Sequence, residues 1–434
     1  MTRMSPKKIL FACIPADGHF NPMTAIAIHL KTKGYDVRWY TGEGYKNTLH
    51  RIGIPYLPFQ NAQELKIEEI DQMYPDRKML KGIAHIKFDI INLFINRMKG
   101  YYEDIAEIHQ VFPFDILVCD NTFPGSIIKK KLNVPIASIG VVPLALSAPD
   151  LPLYGIGHQP ATTFFGKRKQ NFIKLMADKL IFDETKVVYN QLLRSLDLPE
   201  EENLTIFDVA PLQSDVFLQN GIPEIDYPRY SLPRTIKYVG ALQVQTNNNN
   251  NQKLKKDWGA ILDTSKKIIL VSQGTVEKNL DKLIIPSLEA FKNSDYIVLV
   301  ATGYTDTKGL QKRYPQQHFY IEDFIAYDAV MPHIDVFIMN GGYGSALLSI
   351  KHGVPMITAG VNEGKNEICS RMDYSGVGID LKTEKPRVVA IQNATEKILG
   401  TDKYLDTIQK IQQRMNSYNT LDICEQHIVH LISE

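Results

Sequence analysis

At 434 residues the chain is too long for one ordinary hydrophobic core, so two domains of roughly 200 residues each are expected. Its 44% apolar and 22% charged residues are those of a soluble globular protein, and a formal net charge of +1 gives no electrostatic reason to expect nucleic acid or an acidic membrane surface as partner. Cys13, Cys119, Cys369 and Cys424 are scattered without a C-x-x-C spacing, which suggests neither a zinc site nor a disulfide framework and fits a reducing cytoplasm. Basic residues precede an apolar run at the start, as in a signal peptide, but Pro15 and Asp17 interrupt it, and no segment approaches the ~20 apolar residues of an integral membrane span.

In chain order, "KILFACIP", "DVRWYTG", "FDILVCD" and "PIASIGV" come first, followed in the second half by "KIILVSQG", "YIVLVATG", "VFIMNGG" and "PMITAG". These runs are apolar on both faces and alternate with amphipathic helical stretches, the mark of buried parallel strands in an α/β protein. "GIPYLPF" at 53, "NVPIASI" at 133 and "GVPMITA" at 353 each read as a helix end turning into a strand. Such punctuation in both halves implies two sheets built by similar rules. Five asparagines at 247–251 read as an exposed connecting loop. The expected division is a first domain at 1–235, a second at 236–410 and a C-terminal helix at 411–434, free to pack on either.

The first strand runs into "ADGHFNP" and then "PMTAIAIHLKTKG", a helix with Met23, Ile26 and Leu30 on one face, Asn21 as N-cap and Pro22 as first helical residue. That reading puts His19 in the first strand-to-helix loop, at the carboxyl edge where open α/β sheets bind ligands. Only Gly18 is present there, so the G-x-G-x-x-G of a dinucleotide fold is missing. A lone loop histidine is ordinarily a solvated or hydrogen-bonded side chain. Asp120, closing "FDILVCD", is the candidate partner that gives it chemistry, because a carboxylate beside an imidazole sets the tautomer that a general base needs. Taken alone, Asp120 reads equally well as a cap of the next helix.

In the second half "VFIMNGGYGSALLSIKHGVP" reads as strand, Gly-rich turn, helix and C-cap. The glycines allow close approach of a ligand, and Ser345 with the first free N–H groups of the helix suits a phosphate, although a tight turn alone explains the pattern. "VSQGT" at 271–275 makes a similar turn.

Taken together, "GHFNP", "CDNTFPGSIIKKKLNVP", "VSQGT" and "NGGYGSALLSIKHGVP" followed by "NEGKNEICSRMDYSGVGI" resemble, in order, the motifs of family-one UDP-sugar-dependent glycosyltransferases. The resemblance is to the bacterial macrolide-type enzymes and, more distantly, to plant and animal UDP-glycosyltransferases. It implies the GT-B fold, two Rossmann-like parallel-sheet domains facing each other across a cleft. It also implies His19 as catalytic base and Asp120 as the acid that orients it. Gly274 and Thr275 match donor-phosphate contacts, Phe324 with the backbone of a neighbour such as Ile325 matches the uracil position, and Asn340, Gly341, Gly342, Gly344 and Ser345 match the pyrophosphate turn. Asn362 and Glu363 fall on the pair that holds the sugar hydroxyls. Three departures bear on the base and the sugar more than on the reaction type. Asn340 replaces the usual histidine, Leu348 stands where a glutamate binds ribose, and Asn362-Glu363 replaces Asp-Gln.

The implied reaction is inverting transfer of a hexose, glucose by expectation, from a UDP-sugar to a hydroxyl of an apolar or aromatic acceptor. No Asp-x-Asp motif is present, and neither metal nor other cofactor is expected. The long stretch at 140–166, rich in Pro, Gly, Leu and aromatics, suits an acceptor-pocket loop, with Phe123 and Leu144 as contacts. Two other readings stand beside transfer. One is a catalytically silent nucleotide-sugar-binding protein, and the other is a GT-B epimerase acting on UDP-sugars.

Overall fold

The computed structural model describes residues 6–64, 70–80, 83–243, 258–274 and 277–433. Thr275 and the asparagine run lie outside the described residues. The first sheet comprises β1 (Lys8–Ala12), β2 (Asp36–Tyr40), β3 (Tyr56–Leu57), β4 (Ile116–Asp120), β5 (Ile136–Gly140), β6 (Val216–Gln219) and β7 (Ile236–Tyr238), ordered β3-β2-β1-β4-β5-β6-β7. The second comprises β8 (Ile268–Ser272), β9 (Ile297–Ala301), β10 (Phe319–Glu322), β11 (Val336–Met339), β12 (Met356–Thr358) and β13 (Gly378–Asp380), ordered β10-β9-β8-β11-β12-β13. Every pairing within these sheets is parallel. These are the two parallel sheets expected from the alternating apolar runs, and the layout that the resemblance to family-one glycosyltransferases implies. The last strand of the first sheet lies just beyond the expected boundary at 235.

Continuous apolar composition reflects cover on both faces. In β1, Ile9 and Phe11 enter one core while Leu10 and Ala12 enter another, following the two-residue period of a strand. In β8, Leu270 faces one core and Ile269 and Val271 the other. The recurring helix-to-strand phrases are left-handed turns, with Gly53, Asn133 and Gly353 at φ of 67°, 52° and 69°.

The first helix departs from the sequence reading. It spans Asp17–Thr32 with Ala16 as N-cap, so Asn21 is no cap and Pro22 lies inside the helix. The first turn closes through the amides of His19 and Phe20 to the Ala16 carbonyl, both at 2.9 Å. Phe20 is buried between Tyr45 and Trp39, with ring centroids 4.2 and 4.6 Å away. Packing of that ring outweighs the proline's preference for the first helical position. His19 therefore sits in the first helical turn and not in a loop.

The expected C-terminal helix is two helices, Lys403–Asn416 and Thr420–Ser433. Ile408, Ile411 and Met415 of the former enter a core of the second sheet, whereas Cys424, Ile428 and Ile432 of the latter return to the first. His29 Nε2 lies 2.7 Å from Glu425 Oε2, tying that last helix to the first one. Truncating the fully buried Ile428 to alanine should cost about 2–5 kcal/mol, read as a lowered urea midpoint of the full chain. A midpoint unchanged from the parent would mean that the terminal helix does not hold the first lobe.

Asp380 closes β13, where burial, opposed by the Lys382 amide and reinforced by Asp373, pushes its carboxyl up to about 6. A folded-state value above the ordinary one means that the folded chain takes up the proton first. Stability from this group therefore falls as pH rises from about 4 toward about 6 and stays reduced above that. Asp380→Asn should be more stable than the parent near neutral pH by roughly 1 kcal/mol, allowing for partial solvent screening, and equal to it near pH ~4. Denaturant midpoints at the two pH values check this, and a pH-independent difference would refute it.

Candidate active site

In the first sheet the strand order reverses direction between β1 and β4, whose connections leave to opposite sides. Ala12 lies beside Cys119 in register, so the residues that follow, from Cys13 onward and at Asp120, emerge together at the carboxyl edge. Asp120 is fully buried. Its Oδ2 accepts from the Ile14 amide at 2.9 Å, and its Oδ1 accepts from the Thr122 amide at 2.7 Å and the Thr122 hydroxyl at 2.5 Å. His19 Nδ1 stands 3.3 Å from Asp120 Oδ1. That separation is a close approach of imidazole and carboxylate, without an aligned N–H···O bond. Burial alone would raise the Asp120 carboxyl, but the adjacent imidazole, the Thr122 hydroxyl and the Ile14 amide hold it below the usual carboxylate range. Asp120 is thus an ionised, oriented acceptor facing a histidine that keeps partial access to solvent.

In the second sheet the reversal falls between β8 and β11, with Ser272 beside Met339. Gly274 follows β8 and Asn340 follows β11. The Asn340 amide donates to the Gln273 carbonyl and so cross-links the two turns. Gly341 has φ of 84°, and a side chain there would run into Cys369, so the fold itself requires glycine. Gly344 is different, since no atom stands within 4 Å of where its Cβ would lie. Gly18, in the first turn of the first helix, is equally open. Gly342 caps the helix Tyr343–His352 without any side-chain bond, which leaves the amides of its first turn, Ser345 included, directed out of the helix N-terminus. Phe324, just past β10, is exposed while Ile325 is buried in the core. Leu348 packs against the core and offers no polar group.

Asn362 and Glu363 are exposed on the loop after β12, with Glu363 at φ of 57° and paired to Lys365 at 2.7 Å. The Asn362 amide donates to Glu384 at 3.1 Å. Lys282 bridges Glu384 and Glu277 at 2.7 and 2.5 Å. Together with Gln273 and Asn340 these groups line a narrow crevice. Sequence reading missed this ion network, because its members come from three separate loops. Despite some burial, the two carboxylates lift the Lys282 ammonium above its usual range, and it holds both of them low.

The two carboxyl edges face each other. The first helix lies against Tyr343–His352, and the Tyr343 hydroxyl donates to the Asn220 carbonyl at 2.7 Å. Arg371, in the helix Lys365–Tyr374, is buried between Asp226 of the first lobe at 2.8 Å and Glu367 at 2.5 Å. Glu367 also accepts from the amides of Gly155 and Gly157 at 2.9 and 2.6 Å. Residues 155–159, within the stretch expected to line an acceptor pocket, thus tie the first lobe to the second. This triad was not singled out in the sequence, because Asp226 lies more than a hundred residues from Glu367 and Arg371. Phe123 and Leu144, expected as acceptor contacts, are instead buried in cores. Phe123 packs with Tyr40 and Tyr101, and Leu144 with Phe217 and Ile236.

Comparisons with known proteins agree with this fold. The profile of the UDP-glucoronosyl and UDP-glucosyl transferase family matches residues 56–416. The chain is 27% identical to 4'-demethylrebeccamycin synthase of Lentzea aerocolonigenes over 92% of this chain and 93% of that protein. It is 26% identical to UDP-glucosyltransferase A1 of Starmerella bombicola over 100% and 94% of the respective chains. Among solved structures it superposes on a calicheamicin glycosyltransferase with a TM-score of 0.73 at 14% identity, covering 99% of each chain.

Removing the shared cation between the lobes tests their coupling. Arg371→Met leaves Asp226 and Glu367 as uncompensated buried charges and should cost about 3–5 kcal/mol. The check is calorimetry, with a lower midpoint and separate melting of the two lobes expected. A single transition at the parent temperature would show that the ion triad does not join them.

Proposed function

This chain belongs to the UDP-glucoronosyl and UDP-glucosyl transferase family, and we propose that its transfer reaction moves a hexose, glucose in our reading, from UDP to a hydroxyl of an apolar or aromatic small molecule, with inversion. The observation that carries the reading is the 3.3 Å approach of His19 to the buried Asp120, on the lobe facing an open helix N-terminus. Asp120 selects the tautomer with the proton on Nδ1 and leaves Nε2 to take the acceptor's proton as its oxygen attacks the anomeric carbon. The carboxylate also stabilises the imidazolium that forms. The departing diphosphate is met by the amides from Tyr343 to Ser345 and the positive end of their helix, with Gly274 and Gly344 allowing close approach. Attack opposite the leaving group converts an α-linked donor into a β-glycoside. Phe324 offers the base an exposed ring, and Asn362 with Glu363 offer hydrogen bonds to the sugar. In this mechanism the fixed dipoles do the work of a metal ion, and no cofactor is needed.

UDP release and product mass measured with UDP-glucose and a panel of phenols test the proposal. His19→Ala should lower acceptor-dependent UDP release by roughly 10²–10⁴-fold. Asp120→Asn should lose turnover by a comparable factor and keep donor affinity, because it touches the base and not the nucleotide. Chelation of divalent ions should leave the rate unchanged. Donor binding without turnover would favour a silent binder, and a changed sugar without acceptor would favour an epimerase. Equal loss of donor binding in Asp120→Asn would remove the residue from its assigned role.

A further inference from the structure

The helix Phe164–Ala177 of the first lobe has a packed face and a bare one. On the packed face Gln170 donates to the Asp150 carbonyl at 3.0 Å and accepts from the Ala161 amide at 3.0 Å, Lys174 donates to the Pro149 carbonyl at 3.2 Å, and Ala177 is buried. The opposite face, at the spacing of successive helical turns, carries Phe165, Phe172 and Leu175 with 80%, 63% and 58% of their surfaces exposed. Phe164 and Met176 border it and are exposed as well. Isolated exposed apolar residues are ordinary, but several aromatic and aliphatic side chains on one helical face form a patch of the kind that marks an interaction surface.

The charges along this helix are mostly positive. Lys167, Arg168, Lys169 and Lys179 lie along or beside it, against Asp178 alone between residues 164 and 182, in a chain whose net charge is only +1. Among the described residues none of Lys167, Arg168, Lys169 and Lys179 has an ion-pair partner, and Arg168 lies 4.6 Å over the ring of Phe164. The near-zero total conceals a local excess.

We propose that this helix docks the protein peripherally on an anionic lipid surface, with Phe165, Phe172 and Leu175 entering the headgroup boundary and the basic side chains meeting lipid phosphates and carboxylates. An amphipathic helix of large bare apolar residues flanked by Lys and Arg is the physical form that lies in the plane of a bilayer. A second copy of the chain is disfavoured as occupant, since a two-fold contact would bring two basic clusters together. Among the described residues no helix is long and apolar enough to cross a membrane, so the association is in-plane. The inference stands independently of the reaction proposed above.

The test is co-sedimentation of the full chain with phosphatidylcholine vesicles, with and without phosphatidylserine, at low and high salt. Binding should require the anionic lipid and weaken with salt. Lys167→Gln, Arg168→Gln and Lys169→Gln combined should reduce partitioning by about fivefold for each charge removed. Phe172→Ser with Leu175→Ser should abolish pelleting while leaving the circular-dichroism melt and turnover of a water-soluble acceptor as in the parent. Absence of pelleting, or equal pelleting of parent and variants, overturns the proposal. It also falls if Phe172→Ser with Leu175→Ser breaks a dimer seen by sedimentation velocity, which assigns the face to a second copy, or raises KM for a soluble acceptor, which assigns it to the acceptor pocket.

Discussion

A single buried guanidinium sets the relation between the two lobes. Arg371 is enclosed by Asp226 from the first lobe and Glu367 from its own helix, with the ring of Tyr227 at 4.2 Å. Burial of three charges is tolerable only when each is compensated, so the lobes must meet in the register that brings all three together. Glu367 extends the constraint by accepting the amides of Gly155 and Gly157, which anchors a long first-lobe loop on a second-lobe helix. That helix begins directly after the loop bearing Asn362 and Glu363, so the lobe junction and the carboxyl edge of the second sheet share one element.

Within that frame the two sheets repeat one solution. Each presents its point of strand reversal to the other, and at each point residues distant in sequence become neighbours. On the first edge the pair is acidic and imidazole, and the carboxylate is kept ionised in a dry setting by bonds from Ile14 and Thr122. On the second edge, among the described residues, the first turn of the helix carries no acidic side chain. The feature there is an uncapped N-terminus flanked by glycines whose missing side chains leave space. An imidazole beside an ionised carboxylate on one side and a fixed positive potential on the other is an arrangement suited to the transfer proposed above. The family match and the chemistry of the edges therefore lead to one reaction class by separate routes.

Charge illustrates why totals mislead. Summed over the chain, acids and bases nearly cancel, yet the helix Phe164–Ala177 is locally basic and carries a bare apolar face. The crevice beside Asn340 holds the reverse case, an alternation of Lys282 and Lys365 with Glu277 and Glu384 that is formally neutral as a group. Either arrangement depends on which loops adjoin, and composition carries no record of adjacency.

What the sequence determined by itself was the set of strands buried on both faces, the left-handed turns at Gly53, Asn133 and Gly353, and the glycine-rich start of the helix at Tyr343. These follow from properties of a residue and its near neighbours: apolar periodicity, tolerance of positive φ and loss of a side chain. The start of the first helix was misjudged, because Asn21 and Pro22 carry the local signals of a cap while the burial of Phe20 against Trp39 and Tyr45 decided the outcome. Phe123 and Leu144 read as pocket residues for a similar reason, since an apolar side chain in a loop looks the same whether it faces a ligand or a core. Only the tertiary structure decided that Asp120 meets His19, that Arg371 finds Asp226, and that the last helix crosses back to the first lobe. Each of these depends on long-range chain closure, in which partners more than a hundred residues apart are selected by packing and by the cost of leaving a buried charge alone.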